Sequence, residues 1–164
     1  MQDIILIAAG AADIPLIADL ARLIWRQHYT DIIGENQIAY MLQKMYSSES
    51  LLEQISEKQN RFFIIQDGQI TLGFISIIQE NNTDWFLSKF YINQNFARKG
   101  IGSSVFKNIL EGLDPTRIKL TVNRQNFKAI NFYFKLGFRI QSVADFDIGQ
   151  GYFMNDFVMV WQKT

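Results

Sequence analysis

From Phe90 to Gly102 the chain reads FYINQNFARKGIG, an extended apolar stretch that runs into a basic, glycine-punctuated turn and opens a helix. Few architectures use such a passage. A strand that feeds a glycine turn and a helix start collects unpaired amides and the positive end of the helix dipole at one point. Gly100 and Gly102 let the main chain approach a bulky anion, and Arg98 and Lys99 add positive charge. The turn has what is needed to hold a pyrophosphate. Two other glycine loops fit worse: a dinucleotide fingerprint would need its third glycine where Val105 stands, and a Walker A loop would need Lys-Ser/Thr where Ser103-Ser104 follow Gly102. An isolated Gly-x-Gly is more often an ordinary tight turn, so a second motif has to decide.

Composition narrows the field. With 164 residues and 48% hydrophobic content, one domain over residues 1–164 is expected, with a core large enough to fold without crosslinks. Sixteen basic residues balance sixteen acidic ones, so no whole-molecule field would collect nucleic acid or an anionic membrane. The chain has no cysteine, which removes disulfides, thiolate nucleophiles and cysteine-ligated zinc; no metal is expected. Apolar runs such as Ile4 to Ala9 are too short to span a bilayer, and Asp3 without a basic flank does not read as a secretory signal. The expected location is the cytoplasm.

Periodicity orders the elements. Ile4 to Ala8 reads as a strand, and Asp13 caps a helix with Ile14, Ile17, Ala21 and Ile24 on one face, ending near Tyr29. Gln37 to Met45 and Ser50 to Lys58 predict further helix, interrupted at Ser47-Ser48. Arg61 to Gln66 and Ile70 to Gln79 form a hairpin turning at Asp67-Gly68, and Trp85 to Ile92 returns after the polar loop Glu80 to Thr83. The helix from Gly100 to Leu113 stops at Asp114-Pro115, and Arg117 to Val122 is a strand. Asn126 to Leu136 is helical with Gly137 as its cap, and Phe138 to Asp147 and Phe153 to Gln162 are two last strands around the loop Ile148 to Gly151. The alternation predicts a mixed α/β sheet.

At this point the chain resembles the GNAT superfamily of N-acetyltransferases over nearly its whole length. Two motifs carry the likeness: ARKGIG at Ala97 to Gly102, similar to the superfamily's pyrophosphate signature, and NFKAINFYFKLGF at Asn126 to Phe138, similar to its Asn, Ala, aromatic-Tyr, Gly-Phe helix and following strand. Ala97 departs from the signature, which commonly has Gln or Arg there; because main-chain amides hold most of the pyrophosphate, this departure weakens binding more than it abolishes it. The resemblance implies an α/β (α+β) fold with a central mixed, mostly antiparallel sheet, splayed strands and flanking helices. It also implies acetyl-CoA as co-substrate and direct transfer of the acetyl group to a primary amine of a small molecule or peptide.

The same resemblance distributes roles. The strand ending at Ile92 and the strand Arg117 to Val122 start side by side and splay, so that pantetheine pairs with the backbone of Phe90, Tyr91 and Ile92 as a third strand would. Ala97, Arg98, Lys99, Gly100, Ile101, Gly102 and Ser103 hold the pyrophosphate, Asn126 and Lys135 meet the cofactor's arm, and a main-chain N–H near Tyr91 serves the oxyanion. Tyr133, near the sulfur, is the general acid for the leaving thiolate, as a phenol of pKa ~10 can be against a thiol. A cluster such as Phe132, Tyr133 and Phe134 is by default core packing.

Other candidates rest on the residues alone. Trp25 and Tyr29, spaced i, i+4, share a helix face and are candidates for the acceptor pocket or for core. Glu80 and Asp84 are candidate bases, with surface solvation as the default. His28, the only histidine, more often caps carbonyls or meets solvent. Asp31, Glu35, Asp145, Asp147 and Asp156 can hold a cationic acceptor, though solvated loop charge is the ordinary reading. The string DIGQGYFMNDFVM at Asp147 to Met159 resembles a GNAT subgroup that includes polyamine acetyltransferases, which makes a small polycation one candidate. The rival class is a CoA-binding sensor or assembly module without turnover. A homodimer formed through final-strand edges is a further expectation.

Overall fold

The chain enters the fold as a strand, β1 (Ile4–Ala9), followed by helices α1 (Ile14–Tyr46) and α2 (Ser48–Ser56). The strands β2 (Arg61–Asp67), β3 (Ile70–Gln79) and β4 (Asp84–Ile92) come next. The remainder alternates: α3 (Ile101–Leu113), β5 (Arg117–Asn123), α4 (Phe127–Leu136), then β6 (Arg139–Gly149) and β7 (Tyr152–Gln162). This computed structural model describes residues 3–97 and 100–164. One seven-stranded sheet takes the strands in the order β1-β2-β3-β4-β5-β7-β6, and only β4 and β5 run parallel. The mixed, mostly antiparallel α/β sheet is the expected one.

Each face of the sheet has its own core. On one side α3 and α4 bury Ile101, Val105, Phe106, Ile109, Ile130 and Tyr133 against Ile75, Leu87, Ile118, Leu120 and Met159. On the other, α1 and α2 bury Ile17, Ala21, Ile24, Trp25, Ile38, Met41 and Leu51 against Phe62, Ile64 and Phe74. Large apolar side chains of this kind contribute roughly 1.5–3 kcal/mol each when fully buried. Alternation in β3 and β4 feeds both cores, since successive side chains leave on opposite faces. The sheet is therefore fixed in register from both sides.

Boundaries differ from the periodic reading where local chemistry intervenes. The first helix runs past Tyr29 to a break at Gly34, whose φ of 79° and ψ of 164° interrupt the helical ladder, and the expected second helical stretch follows it to Tyr46, so that α1 is two helices meeting at a kink. Glycine alone adopts that geometry without a Cβ penalty. Asp13 occupies the N-cap position of α1 but adopts helical angles, and its carboxylate turns back to accept the Gly10 N–H at 2.9 Å. Ser47 does the capping expected of such a residue, its Oγ accepting the Ser50 N–H at 3.2 Å at the start of α2.

Two turns are also tighter or shifted. Asp67 pairs with Ile70, so the hairpin turns on Gly68 and Gln69, with Gly68 at φ 61° in the first central position. Gly149 pairs with Tyr152, so the last loop shrinks to Gln150 and Gly151, both at positive φ. Asn126 and Gly137 frame α4 as read: the Asn126 Oδ1 accepts the Ala129 N–H, and Gly137 takes a left-handed φ of 102°.

Candidate active site

The parallel contact between β4 and β5 is short. Asp84, Trp85 and Phe86 pair with Arg117, Ile118 and Lys119, and there the pairing ends. Beyond it β4 continues to Ile92 against β3 alone, while β5 continues to Asn123 against β7. The cause is visible in β4. Its register with β3 slips between Ser76↔Lys89 and Ile77↔Leu87, which leaves Ser88 as an extra, bulged residue. A bulge bends and over-twists its strand, and β4 leaves β5 at this point. The result is a wedge with free backbone groups along one edge, open in the middle of the sheet.

The glycine turn opens α3 beyond the end of β4. Gly100 is its N-cap, at φ 95°, and no side chain caps the helix. The first-turn amides therefore have no intrahelical acceptor and are available to an anion. Ile101 is buried in the core beneath them, Gly102 is half-buried, and Ser103 and Ala97 are exposed. Arg98 and Lys99 lie outside the described residues. Gly102 has a packing reason as well: a Cβ there would meet the Phe132 ring at 2.7 Å, so its absence lets α4 lie against the first turn of α3. Phe90 meets the same ring edge-on at 5.8 Å.

Tyr133 is buried from α4 against Phe132 and Phe138, with ring centroids at 5.4 and 5.5 Å. It is thus a core aromatic, and its phenol lies within electrostatic reach of Tyr29 and Tyr91. Burial, then the neighbouring Tyr29, raises its pKa well above the ordinary phenol value. The proton is firmly held at neutral pH, and the match to a free thiol is poorer than for an exposed tyrosine. Tyr29 and Tyr91 are raised too, chiefly by burial. Asn126 serves as the cap of α4 and also touches the Tyr29 phenol. Lys135 is exposed on the last turn of α4.

Across the wedge, α1 covers a cavity of about 190 Å³. Trp25 and Tyr29 both line it, their rings tilted at 41° with centroids 4.6 Å apart, and so does Tyr91. The Trp25 indole also donates to the Tyr46 hydroxyl at 3.3 Å, which makes it core and wall at once. Ser88, Lys89, Thr121, Asn123 and Asp156 supply polar groups to the same space. Asp156 is not solvated loop charge: it is buried, and burial raises its pKa to about 6 against the opposing effects of Thr121 and Arg124. Asp145, by contrast, is exposed and paired with Arg124 at 2.9 Å.

The other candidates fall elsewhere. Glu80 pairs with Lys119 at 3.1 Å, and Asp84 accepts from Asn81 and Thr116, both at the closed end of the wedge. Asp31, Glu35 and Asp147 are exposed. His28 neither ends a helix nor meets the cavity; its Nε2 lies 3.3 Å from the Ile92 carbonyl, and burial lowers its pKa. Lys89 and the Ser88 bulge are additions that periodicity did not offer, because the bulge depends on pairing with β3. Among the described residues no cluster of His, Asp or Glu is arranged to hold a metal, and no helix is long and apolar enough to cross a membrane.

Known proteins share this fold. The chain is 27% identical over 143 residues to spermidine N(1)-acetyltransferase of Thermoplasma acidophilum, covering 82% of this chain and 88% of that one. The crystal structure of the PaiA N-acetyltransferase from the same organism, in complex with coenzyme A, superposes with a TM-score of 0.79 at 25% identity, covering 99% and 100% of the two chains. An acetyltransferase from Thermus thermophilus shares the fold at a TM-score of 0.73 and 20% identity, over 99% and 100%. Residues 29–147, which span the wedge, the glycine turn and α4, match the acetyltransferase (GNAT) domain, and the chain belongs to that family of N-acetyltransferases.

Proposed function

We propose that this protein transfers the acetyl group of acetyl-CoA directly to the primary amine of a small molecule, with Tyr133 as general acid. The observation that carries the reading is the three-pair contact between β4 and β5, which leaves the β5-facing edge of β4 unpaired between the α3 N-terminus and a polar cavity. The residues fit the co-substrate. Uncapped amides of Ile101, Gly102 and Ser103 receive the diphosphate, and the β5-facing edge of β4 along Phe90, Tyr91 and Ile92 pairs with the pantetheine amides. Acetyl-CoA supplies an activated thioester carbonyl. Similarity to a protein crystallised with coenzyme A supports this assignment.

The chain's own groups then account for each proton. The amine enters from the cavity beneath Trp25 and Tyr29, and its nitrogen forms a bond to the thioester carbon as a β4 amide near Tyr91 meets the developing oxyanion. When the carbon–sulfur bond breaks, the Tyr133 hydroxyl gives its proton to the thiolate, and the ammonium of the adduct returns one through the site. Asp156, the one carboxylate among the described residues lining the cavity, relays that proton back to the Tyr133 phenolate.

A polyamine acceptor is the second reading, favoured by similarity to a spermidine acetyltransferase. The test is thiol release from acetyl-CoA across a panel of polyamines, diamines and amino acids, paired with calorimetry of CoA binding. Amine-stimulated release is expected; tight CoA binding without it would assign the fold to a sensor. The edge strand is β6 and not the final strand β7; its exposed Ile140, Val143 and Phe146, with Phe153 of β7 beside them, support a homodimer, which sedimentation at micromolar concentration checks.

A further inference from the structure

The cavity beneath α1 is lined by two buried, oppositely charged side chains, neither of which forms a side-chain ion pair among the described residues; Thr121 and the more distant Arg124 favour the Asp156 carboxylate only in part. Asp156 is 1% exposed, and its Oδ1 has no hydrogen-bond partner among the described residues. Its nearest cation is committed elsewhere: the Arg124 Nη1 pairs with Asp145 and donates to the Asp156 main-chain carbonyl. Lys89 is 8% exposed, and its Nζ donates to the Ser88 Oγ at 3.2 Å. It lies over the rings of Phe62 and Tyr46 at 5.5 and 5.8 Å, and no carboxylate among the described residues lies within ion-pair distance. The other cation it senses, Lys58, is repulsive.

Burying an unpaired charge costs several kcal/mol, and ordinary packing would replace such a lysine with an apolar residue. The bulge explains why Lys89 points inward. Ser88 is the extra residue of β4, so Ser88 and Lys89 both line the cavity where alternation would have sent one of them to the α3 side. The two charges also stand at different depths. Asp156 pairs with Asn123, the last residue of β5 and the end that has parted from β4, so the carboxylate stands at the open end of the wedge. Lys89 stands against Tyr46 and Phe62, at the base of α1 and β2.

We propose that the acceptor is a small primary amine that also carries a carboxylate or comparable anion, its amine at Asp156 and its anion at Lys89. This rests on the acetyl-transfer reading and specifies its substrate class. A polyamine would place a second cation against Lys89 with no carboxylate beside it. An amino-carboxylate satisfies both buried groups at once, and a cavity of about 190 Å³ admits a molecule of that size rather than a folded partner.

The experiment is calorimetric titration of the CoA-saturated full-length protein with ω-amino-carboxylates of two to six carbons and with diamines of the same lengths. At the best length the amino-carboxylate should bind at least ~10-fold more tightly, a difference that one good charge-assisted contact supports. Lys89→Met and Lys89→Gln should each remove that advantage while leaving diamine binding equal or stronger, with CoA affinity serving as the control for folding. Diamines that bind as well as or better than amino-carboxylates, failure of both series to bind, or an advantage that survives both substitutions would overturn the proposal. Thiol release in the same series separates it from the reading beneath it. Amino-carboxylate binding without release under acetyl-CoA defeats acetyl transfer alone, whereas release driven only by diamines defeats the assignment of Lys89 alone.

Discussion

Gly73 of β3 lies so close to the Tyr91 carbonyl of β4 that a Cβ on it would sit 1.9 Å from that oxygen. Nothing there can yield cheaply, because the obstacle is main chain. Gly73→Ala must push β4 away from β3 at the residues assigned to pantetheine. The expected loss is about 3 kcal/mol or more, in the range of severe overpacking. Urea unfolding measures it; a midpoint unchanged from the parent would contradict the contact.

Gly102 presents the milder case, since its neighbour is the Phe132 ring. Gly102→Ala forces that ring to shift from under Phe90, at an expected cost of about 1–3 kcal/mol. Gly102→Asp adds a negative charge where the diphosphate is to sit. CoA affinity should fall several-fold for Ala and much further for Asp, and equal losses would show that charge at the turn is irrelevant.

Tyr133→Phe keeps the ring that packs on Phe132 and Phe138 and removes only the hydroxyl. Turnover should drop by ~10²-fold or more, in the range of general acid catalysis, with CoA affinity and thermal midpoint nearly unchanged. A rate equal to the parent's would take the proton-donor role from Tyr133.

Asp156 and Lys89 should mark stability in opposite pH windows. The folded pKa of Asp156 is raised to about 6 from 3.8, so folding bears no cost from it in acid and bears the full cost once pH has risen through 6. Asp156→Asn should therefore stabilise above pH 6, by about 1–2 kcal/mol after allowance for the open cavity, and lose that advantage below pH 4. The folded pKa of Lys89 is lowered to about 8 from 10.5, so its cost is complete below 8 and fades as pH rises through 10.5. Lys89→Met should stabilise at pH 7, by about 3 kcal/mol at most, and converge with the parent near pH 11. Chemical denaturation at four pH values tests both.

Legibility followed the range of the interactions. Asn126 and Gly137 bounded α4 correctly because capping is settled within a few residues, and the glycine turn after β4 was readable for the same reason. Asp13 misled because the carboxylate had a second local partner, the Gly10 N–H, and the interruption read between Tyr29 and Gln37 was too wide because only Gly34 leaves the helical angles. Trp25 and Tyr29 were found by helical spacing, which places them on one face but does not say that the face lines a cavity.

The sequence by itself determined the alternation of elements, the sites of the turns and the two motifs that mark a diphosphate site, since each is encoded by neighbours along the chain. Tertiary structure alone decided that Ser88 is a bulge, that β4 and β5 part after three pairs, and that Lys89 and Asp156 line one cavity. Those facts depend on registers between strands far apart in sequence. A single-residue slip in pairing with β3 changes which face a side chain meets, and no local pattern in β4 records it.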